Sequence, residues 1–191
     1  MLKSQFFPAA KSFLEGKGEK PLMLMNGGIF EPSGIPSGLL VQGGKELHPV
    51  NRRDGVGNFF LKPNGIFLIG EKGARVMETS KYPPQGEKLL YAVQSGPMLL
   101  ENGKVHPAFN KDSDSRLTRN GVGVVGDGTV VFAISDQEGE RYPNLYGFAD
   151  LFLSLGCKDA LFLDGVISQM RSGEMLGKES KQFGSVVAVV E

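Results

Sequence analysis

Short apolar runs separated by glycine are the feature that most restricts how this chain can fold. The 191-residue chain contains 27 glycines, which form neither a collagen-like period nor a low-complexity tract. They interrupt the apolar runs, as turns do between the strands of a β-sheet. The clearest run covers residues 160–163 and leads into Asp164 and Gly165, where a buried strand would leave the core and turn. The pattern predicts a strand-rich domain.

The positions of these runs predict the individual strands. Apolar runs bounded by turn signals occupy residues 22–25, 37–42, 57–61, 66–69, 89–93, 98–100, 121–125, 129–134, 160–163 and 185–190. Hairpin turns are predicted at Gly43–Gly44, Asn64–Gly65 and Asn102–Gly103, because such dipeptides favour tight connections between antiparallel strands. Residues 171–182 are polar and rich in Gly, Lys and Glu, so they predict an exposed loop.

Two segments have the spacing of helices instead. Residues 4–15 and 145–155 carry apolar side chains at intervals of three and four. Gly16 and Gly156 follow the two segments, where glycine commonly ends a helix. We therefore predict a single α+β domain over residues 1–191, in which a few helices pack on a mostly antiparallel or mixed β-sheet.

Charge and hydropathy argue against two classes of partner. The chain has 21 Lys and Arg residues against 21 Asp and Glu residues, and this zero net charge disfavours electrostatic binding of nucleic acid. No apolar run approaches the roughly 20 residues that a helix needs to cross a bilayer, so no membrane span is expected. The first residues lack the long apolar core of a secretory signal. We therefore expect a cytoplasmic protein, or a processed or truncated form of an exported one.

Residue types that bind metals and cofactors are scarce. Cys157 is the single cysteine, which excludes an internal disulfide, and its position near an apolar run predicts a buried thiol. His48 and His106 are far apart in sequence, so a histidine-rich metal site is not expected. The glycines of residues 121–126 lack the spacing and the following helix of a dinucleotide-binding fingerprint. We expect neither a metal nor an organic cofactor.

Polar residues beside glycine lie at the ends of several predicted strands. They are Asn26–Gly27–Gly28, Asn58 after Gly57, Gln94–Ser95–Gly96, Asn120–Gly121 and Asp164–Gly165. Each step alone is ordinary turn chemistry, but together they predict a rim of amides, hydroxyls and one carboxylate that a ligand can approach closely. Arg116 and Arg119 precede one of these steps and offer a fork for a phosphate. This composition favours a sugar or a phosphorylated sugar.

Structural roles are the alternative for most of these residues. The amides and Ser95 would then hydrogen-bond to turn backbone, and the two arginines would be solvated or paired surface side chains. Ser168 and Arg171, which follow the Asp-Gly step, are expected to be ordinary loop residues. The sequence alone leaves both explanations open.

Five blocks carry a resemblance to a known family. In chain order they are residues 25–30 (Met-Asn-Gly-Gly-Ile-Phe), 57–60 (Gly-Asn-Phe-Phe), 94–99 (Gln-Ser-Gly-Pro-Met-Leu), 115–123 and 163–165 (Leu-Asp-Gly). In this order they resemble the phosphodiester glycosidase domain family, and most closely its bacterial branch. The resemblance covers about residues 22–190, which is nearly the whole chain.

The resemblance implies a hydrolase that cleaves the C1–O bond of a sugar-1-phosphodiester, with a role in envelope glycan metabolism. The released products would be the sugar and a phosphate monoester. The family's late motif is typically Asp-Gly-Gly followed by a small residue, whereas Val166 replaces the second glycine here, which affects the choice of substrate. Members usually carry further N-terminal strands and often an export signal, so the resemblance implies a trimmed or shortened chain.

The residues and the resemblance together suggest a division of roles. Asp164 is the expected catalytic carboxylate, and Arg119, supported by Arg116, is expected to neutralise the phosphate. The expected substrate-binding positions are Asn26, Gly27, Gly28, Asn58, Gln94, Ser95, Gly96, Asn120 and Gly165. A retaining or inverting mechanism needs a second carboxylate, for which the sequence offers Glu31, Asp54 and Asp114.

Two other functions are compatible with the sequence. The first is a non-catalytic module that binds a carbohydrate or a phosphate on the same scaffold, since a fold does not fix a function. The second is a metal-dependent phosphodiesterase, which would need a carboxylate cluster from Asp112, Asp114 and Asp164. The identity of the sugar, the group beyond the phosphate and the oligomeric state are not encoded in any of these patterns.

Overall fold

The computed structural model describes residues 6–135 and 142–191, which contain two α-helices and thirteen β-strands. The helices are α1 (Phe7–Glu15) and α2 (Leu145–Ser154), and neither is long enough and apolar enough to cross a membrane. The strands are β1 (Pro21–Asn26), β2 (Leu40–Gln42), β3 (Lys45–His48), β4 (Gly65–Gly70), β5 (Gly73–Glu78), β6 (Leu89–Ser95), β7 (Met98–Glu101), β8 (Lys104–Val105), β9 (Asn120–Val125), β10 (Val130–Ile134), β11 (Cys157–Asp164), β12 (Met170–Ser172) and β13 (Val186–Val190).

The strands form three antiparallel sheets. Sheet A has the order β12-β1-β13, sheet B the order β10-β9-β11-β7-β8, and sheet C the order β3-β2-β6-β4-β5. Every pairing between these strands is antiparallel. The prediction of an α+β fold with mostly antiparallel sheet is therefore confirmed.

The central strand β11 is buried on both faces, which explains its continuous apolar run. Leu161 and Leu163 point into the layer between sheets B and C, where they pack with Phe67. Phe162 points the other way and packs with Phe148 of α2. Because successive side chains of a strand alternate between faces, a strand between two layers requires an unbroken apolar run. Each such buried side chain contributes roughly 1.5–3 kcal/mol, so this run anchors the centre of the molecule.

Helix α1 packs on sheet A. Pro8 lies in its first turn, where the missing N–H costs no helical hydrogen bond, and Gly16 follows its last residue. Its buried side chains pack with Leu24 of β1 and with Phe183. The helix predicted within residues 4–15 is confirmed, and positions 4 and 5 lie outside the described residues.

Two of the predicted hairpin turns are confirmed. Gly43–Gly44 joins β2 to β3, and Asn102–Gly103 joins β7 to β8. The φ angles are 57° and 78° in the first turn and 51° and 74° in the second. Positive φ at both central residues gives a turn whose twist matches that of the paired strands.

One predicted strand and its hairpin are wrong. Residues 57–61 form the 3₁₀ turn Asn58–Phe60, and β4 pairs with β5 instead. Gly57 has a φ of 100°, which takes the chain out of the extended conformation. The buried Phe59 side chain anchors this turn. The backbone carbonyl oxygen of Phe59 accepts a hydrogen bond of 2.8 Å from Nδ2 of Asn64. Asn64 therefore holds a compact turn rather than a strand connection.

The exposed loop predicted over residues 171–182 is also wrong in its first half. Strand β12 pairs with β1, and Gly173–Gly177 forms a 3₁₀ turn. Leu176 within this turn is buried in the cluster beneath α1. The single apolar side chain of Leu176 anchors this segment. The prediction used the average composition of residues 171–182, which one apolar residue does not change.

Cys157 begins β11 and lies in the core beneath α2, as predicted. Burial raises the pKa of its thiol above the ordinary value. Because the thiolate is the reactive form, the buried thiol is inert at neutral pH.

Candidate functional site

The three sheets meet at the end of β11. Asn26 ends β1 in sheet A, Ser95 ends β6 in sheet C, and Asn120 and Asp164 face each other in the register of β9 and β11 in sheet B. The structure therefore brings these four predicted site residues together, although they are far apart in sequence.

Asn120 is the centre of a buried hydrogen-bond network. Its Oδ1 accepts hydrogen bonds from the N–H of Asp164 at 2.8 Å and from the hydroxyl of Ser168 at 3.1 Å. Its Nδ2 donates to the carbonyl oxygen of Asn26 at 2.9 Å and to Oδ1 of Asn26 at 3.1 Å. Both lone-pair directions and the amide donors of Asn120 are thus used by the protein, which is the condition for burying an amide without a penalty.

Two further side chains complete this buried amide junction. Asn26 Oδ1 also accepts a hydrogen bond of 2.9 Å from the N–H of Gln169. The Ser95 hydroxyl donates to the carbonyl oxygen of Leu163 at 2.7 Å and accepts from the N–H of Ile29 at 3.3 Å. Asn120 and Ser95 therefore fix the two ends of the peptide group between Leu163 and Asp164, directly before the Asp164 side chain. The substrate contacts expected of Asn26, Ser95 and Asn120 stay predictions.

Asp164 is the one carboxyl group of this region with a strongly shifted pKa. Burial raises its pKa from 3.8 to about 6, against the opposing effects of the Gly165 N–H and of Lys181. The N–H of Gly165 donates to Asp164 Oδ1 at 2.7 Å and so orients the carboxyl group. A carboxyl group with a pKa near 6 can give or take a proton at ordinary pH, as general acids and bases do.

Arg119 lies close to the junction but its guanidinium group serves the protein's own backbone. Its side chain is buried, its Nε donates to the carbonyl oxygen of Pro143 at 2.9 Å, and its Nη2 donates to that of Ser115 at 2.8 Å. The guanidinium carbon lies 5.8 Å from the centre of the Phe162 ring. Burial lowers the pKa of Arg119. This arginine ties the loop before β9 to the start of α2, whereas Arg116 on the same loop is exposed.

Two of the predicted binding residues lie apart from Asp164. Asn58 is exposed in its 3₁₀ turn. Gln94 is buried, and its Oε1 accepts from the N–H groups of Leu39 and Asn51 at 3.0 and 2.9 Å. Its Nε2 donates to the carbonyl oxygen of Asn51 at 2.6 Å. Gln94 of β6 thus holds the residue before β2 and the segment after β3 together.

The predicted glycines divide into packed and open positions. An added Cβ would lie 2.2 Å from Ser185 Oγ at Gly27, 2.5 Å from the carbonyl oxygen of residue 94 at Gly28, and 2.7 Å from that of residue 59 at Gly96. At these three glycines, other atoms of the protein fill the space that a side chain would need, so the glycine allows close packing within the protein. At Gly165 an added Cβ would make only ordinary van der Waals contacts, 3.8 Å from the Phe162 ring and from the Thr118 carbonyl oxygen. The next residue, Val166, is 62% exposed, so we call residues 165–166 the open turn.

Among the candidates for a second carboxylate, two already have partners. Glu31 Oε1 accepts a hydrogen bond of 2.7 Å from the Ser37 hydroxyl, and Asp54 forms an exposed ion pair with Lys62. Asp114 is exposed. In residues 6–135 and 142–191, no three His, Cys, Asp or Glu side chains are grouped so that they could hold a metal ion. The cluster that a metal-dependent phosphodiesterase would need from Asp112, Asp114 and Asp164 is therefore not found there.

Sequence reasoning missed three residues of this region. Ser168 was expected to be an ordinary loop residue and Gln169 was not singled out, yet they hydrogen-bond to Asn120 and Asn26, respectively. Lys181, which lies in the segment predicted to be an exposed loop, lowers the pKa of Asp164. Ser168 could have been found from the sequence, because a hydroxyl side chain four residues after Asp164 can reach the same strand end. Nothing in the sequence distinguishes Lys181 from the lysines around it.

Comparison with known proteins identifies the family. The family model of the phosphodiester glycosidases matches residues 20–187. The chain belongs to the phosphodiester glycosidase family. The Escherichia coli K12 protein YigE, described as uncharacterized, is 38% identical to it over 149 residues, which are 78% of this chain and 57% of YigE.

Solved structures share the fold of this family member at low identity. The catalytic domain of zebrafish N-acetylglucosamine-1-phosphodiester alpha-N-acetylglucosaminidase, auto-inhibited by its pro-peptide, matches with a TM-score of 0.60 and 19% identity. The match covers 91% of this chain and 62% of that domain. A hypothetical protein from Synechocystis matches with a TM-score of 0.50 and 12% identity, over 93% of this chain and 52% of that one. The chain spans less than two thirds of each of these relatives.

Proposed function

We propose that this protein is a hydrolase that cleaves the C1–O bond of a sugar-1-phosphodiester and releases the sugar and a phosphate monoester. The observation that carries the proposal is the Asp164 carboxyl group, whose pKa is raised to about 6 beside an open turn in a member of the phosphodiester glycosidase family. The zebrafish relative is named for action on an N-acetylglucosamine-1-phosphodiester, and this supports the choice of substrate class. Phosphodiester-linked sugars of envelope glycans belong to that class.

The proposed mechanism follows from the properties of the leaving group. A phosphate monoester is a good leaving group, so the reaction depends less on a general acid than an ordinary glycoside hydrolysis does. The remaining requirements are to stabilise positive charge at C1 and to deliver water to it. In its ionised form, Asp164 meets both: it attracts the developing charge and accepts a proton from the attacking water. The electrons of the C1–O bond leave with the phosphate.

The buried amide junction has a supporting role in this mechanism. Asn120 holds the N–H of Asp164, and Ser95 holds the preceding carbonyl of Leu163. Fixing this peptide group, which directly precedes Asp164, keeps the carboxyl group in one position, so little reorganisation is needed during the reaction. We infer that Asn26, Ser95 and Asn120 contribute to activity through the position of Asp164.

The test is to incubate the protein with an α-N-acetylglucosamine-1-phosphodiester in ¹⁸O-labelled water and to identify the products. The proposal expects free sugar that carries the label and an unlabelled phosphate monoester. The Asp164→Asn variant should give neither product. Sugar-1-phosphate as a product would show cleavage on the phosphorus side and would contradict the proposal. Tight binding of the substrate without turnover would instead support a non-catalytic binding module.

A further inference from the structure

We propose that Lys181 is the cation that binds the phosphate group of the substrate beside Asp164, while Arg119 holds the protein's own loops. This inference rests on the proposed function, since it assigns a part of the same site. It differs from the expectation drawn from the sequence, in which Arg119 and Arg116 bind the phosphate.

The backbone of Lys181 is connected to the buried amide junction. The N–H of Lys181 donates to Oε1 of Gln169 at 2.9 Å, and the N–H of Gln169 donates to Oδ1 of Asn26 at 2.9 Å. Asn26 is in turn bound to Asn120, which holds the N–H of Asp164. Lys181 and Asp164 are therefore positioned by one continuous set of hydrogen bonds.

The residues on either side of Lys181 are also fixed. The Ser180 hydroxyl accepts from the N–H of Phe7 at 2.9 Å and donates to the carbonyl oxygen of Lys181 at 3.0 Å. Phe183 is buried, and its ring centre lies 5.1 Å from that of Phe7. The main chain is thus held against α1, while the Lys181 side chain is exposed.

The ammonium group of Lys181 lies above the open turn that follows Asp164. Its Nζ is 3.5 Å from the carbonyl oxygen of Val166, a residue that is 62% exposed. Its charge lowers the pKa of Asp164 against the effect of burial. None of the ion pairs in residues 6–135 and 142–191 involves Lys181, so its charge is available to a ligand.

The chemistry of the substrate calls for a cation at this position. A phosphodiester carries one negative charge, and the leaving phosphate gains a second as the C1–O bond breaks. A positive charge near the departing oxygen therefore stabilises the transition state more than the ground state. Lysine binds phosphate as a point charge and needs no fixed fork geometry. Arg119 is less suitable, because its Nε and Nη2 already donate to backbone carbonyl oxygens.

The test compares Lys181→Met with Lys178→Met, a matched change of an exposed lysine three residues away. The probes are N-acetylglucosamine 1-phosphate, neutral N-acetylglucosamine and inorganic phosphate, with binding measured by calorimetry. Lys181→Met should weaken binding of N-acetylglucosamine 1-phosphate about tenfold or more, as expected for loss of a charge-assisted contact. Binding of the neutral sugar should be unchanged, Lys181→Arg should restore most of the affinity, and Lys178→Met should have no effect.

A second readout separates this inference from the proposed function. In ¹³C NMR titrations, Lys181→Met should move the pKa of Asp164 upward, and Lys178→Met should not. If the wild type hydrolyses no phosphodiester but the binding pattern holds, the proposed function fails and the role of Lys181 stands. If the wild type turns over substrate and Lys181→Met has an unchanged kcat/KM, the role of Lys181 fails alone. Wild-type protein that binds neither N-acetylglucosamine 1-phosphate nor inorganic phosphate would also overturn it.

Discussion

The buried amide junction and the open turn beside it use polar side chains in opposite ways. In the junction, Asn26 and Asn120 bind each other and the neighbouring backbone. In the open turn, Asp164 has a raised pKa, and Lys181 forms no ion pair with another described residue. The difference teaches that polar groups at strand ends divide into two kinds. Polar groups whose hydrogen bonds are all made within the protein stabilise the fold. Charged groups that have no ion-pair partner are the ones available for chemistry.

The largest effect should come from removing the charge of the open turn. Asp164→Asn should lower kcat by about 10³-fold, within the range that acid–base groups supply. The cause is loss of the negative charge and of the proton acceptor, while the amide oxygen can still accept from the Gly165 N–H. The measurement is product formation from the phosphodiester substrate at saturating concentration.

The matched control for this change is Asp150→Asn, which alters an exposed carboxylate on α2. It should leave kcat within about twofold of the wild type, since surface changes of this kind rarely disturb a site. Turnover by Asp164→Asn at the wild-type rate would refute the assignment of the carboxylate. An equal loss in both variants would show that the effect of Asp164→Asn is not specific to this carboxylate.

The next effect should come from the junction and should appear in stability. Asn120→Ala removes four buried hydrogen bonds, among them the acceptor of the Asp164 N–H and the donor to the Asn26 carbonyl oxygen. It should lower the free energy of unfolding by about 3 kcal/mol, the cost of orphaned buried polar groups. Urea denaturation followed by circular dichroism measures this loss.

Asn58→Ala provides the comparison for the junction, because Asn58 is exposed although it lies in the same kind of sequence block. Its effect on the free energy of unfolding should stay within about 0.5 kcal/mol. Similar losses in the two asparagine variants would remove the distinction between satisfied and free polar groups.

The sequence predicted the strands more successfully than it predicted this distinction. The run 160–163 was correctly assigned to a strand, because burial on both faces leaves a clear apolar signal. Residues 57–61 were wrongly assigned, because an apolar run of five residues fits a strand and a compact turn around Phe59 equally well. Leu176 was hidden because one apolar residue does not change the composition of a polar segment.

Neighbouring site residues show why the site is harder to predict than the fold. Gln94 and Ser95 are adjacent in β6, and Arg119 and Asn120 are adjacent at the start of β9. Because successive residues of a strand face opposite sides, only one of each pair can reach the buried junction. Each sequence block contains both residues of its pair. Which of the two reaches the junction depends on which face of the strand the other sheets cover. Ser95 and Asn120 are the two that reach it.

A third prediction measures the cost of keeping Asp164 buried. The pKa of Asp164 is about 6 in the folded protein against 3.8 as the ordinary value. The folded state therefore retains this proton at a pH where the unfolded chain has lost it, so stability falls as pH rises from about 4 to about 6. Above pH 6 the ionised Asp164 carboxylate lowers the free energy of unfolding by roughly 2–3 kcal/mol. Asp164→Asn should be more stable than the wild type by this amount at pH 8 and equally stable at pH 4. Denaturation curves of both proteins at the two pH values check this, and an equal difference in stability at pH 4 and pH 8 would contradict it.

The smallest effect is the pH dependence of activity, and it decides in which form Asp164 acts. If the ionised carboxylate attracts the charge at C1 and accepts the proton of water, kcat/KM should rise about tenfold per pH unit below pH 6 and level off above it. A general acid would give the reverse, with activity falling above pH 6. Lys181→Met sharpens the test, because loss of the nearby positive charge should move the midpoint to higher pH. A profile whose midpoint is the same in the wild type and in Lys181→Met would show that the two charges do not share a site. The open turn would then differ from the buried amide junction only in its exposure to solvent, and not in bringing two charged groups to one site.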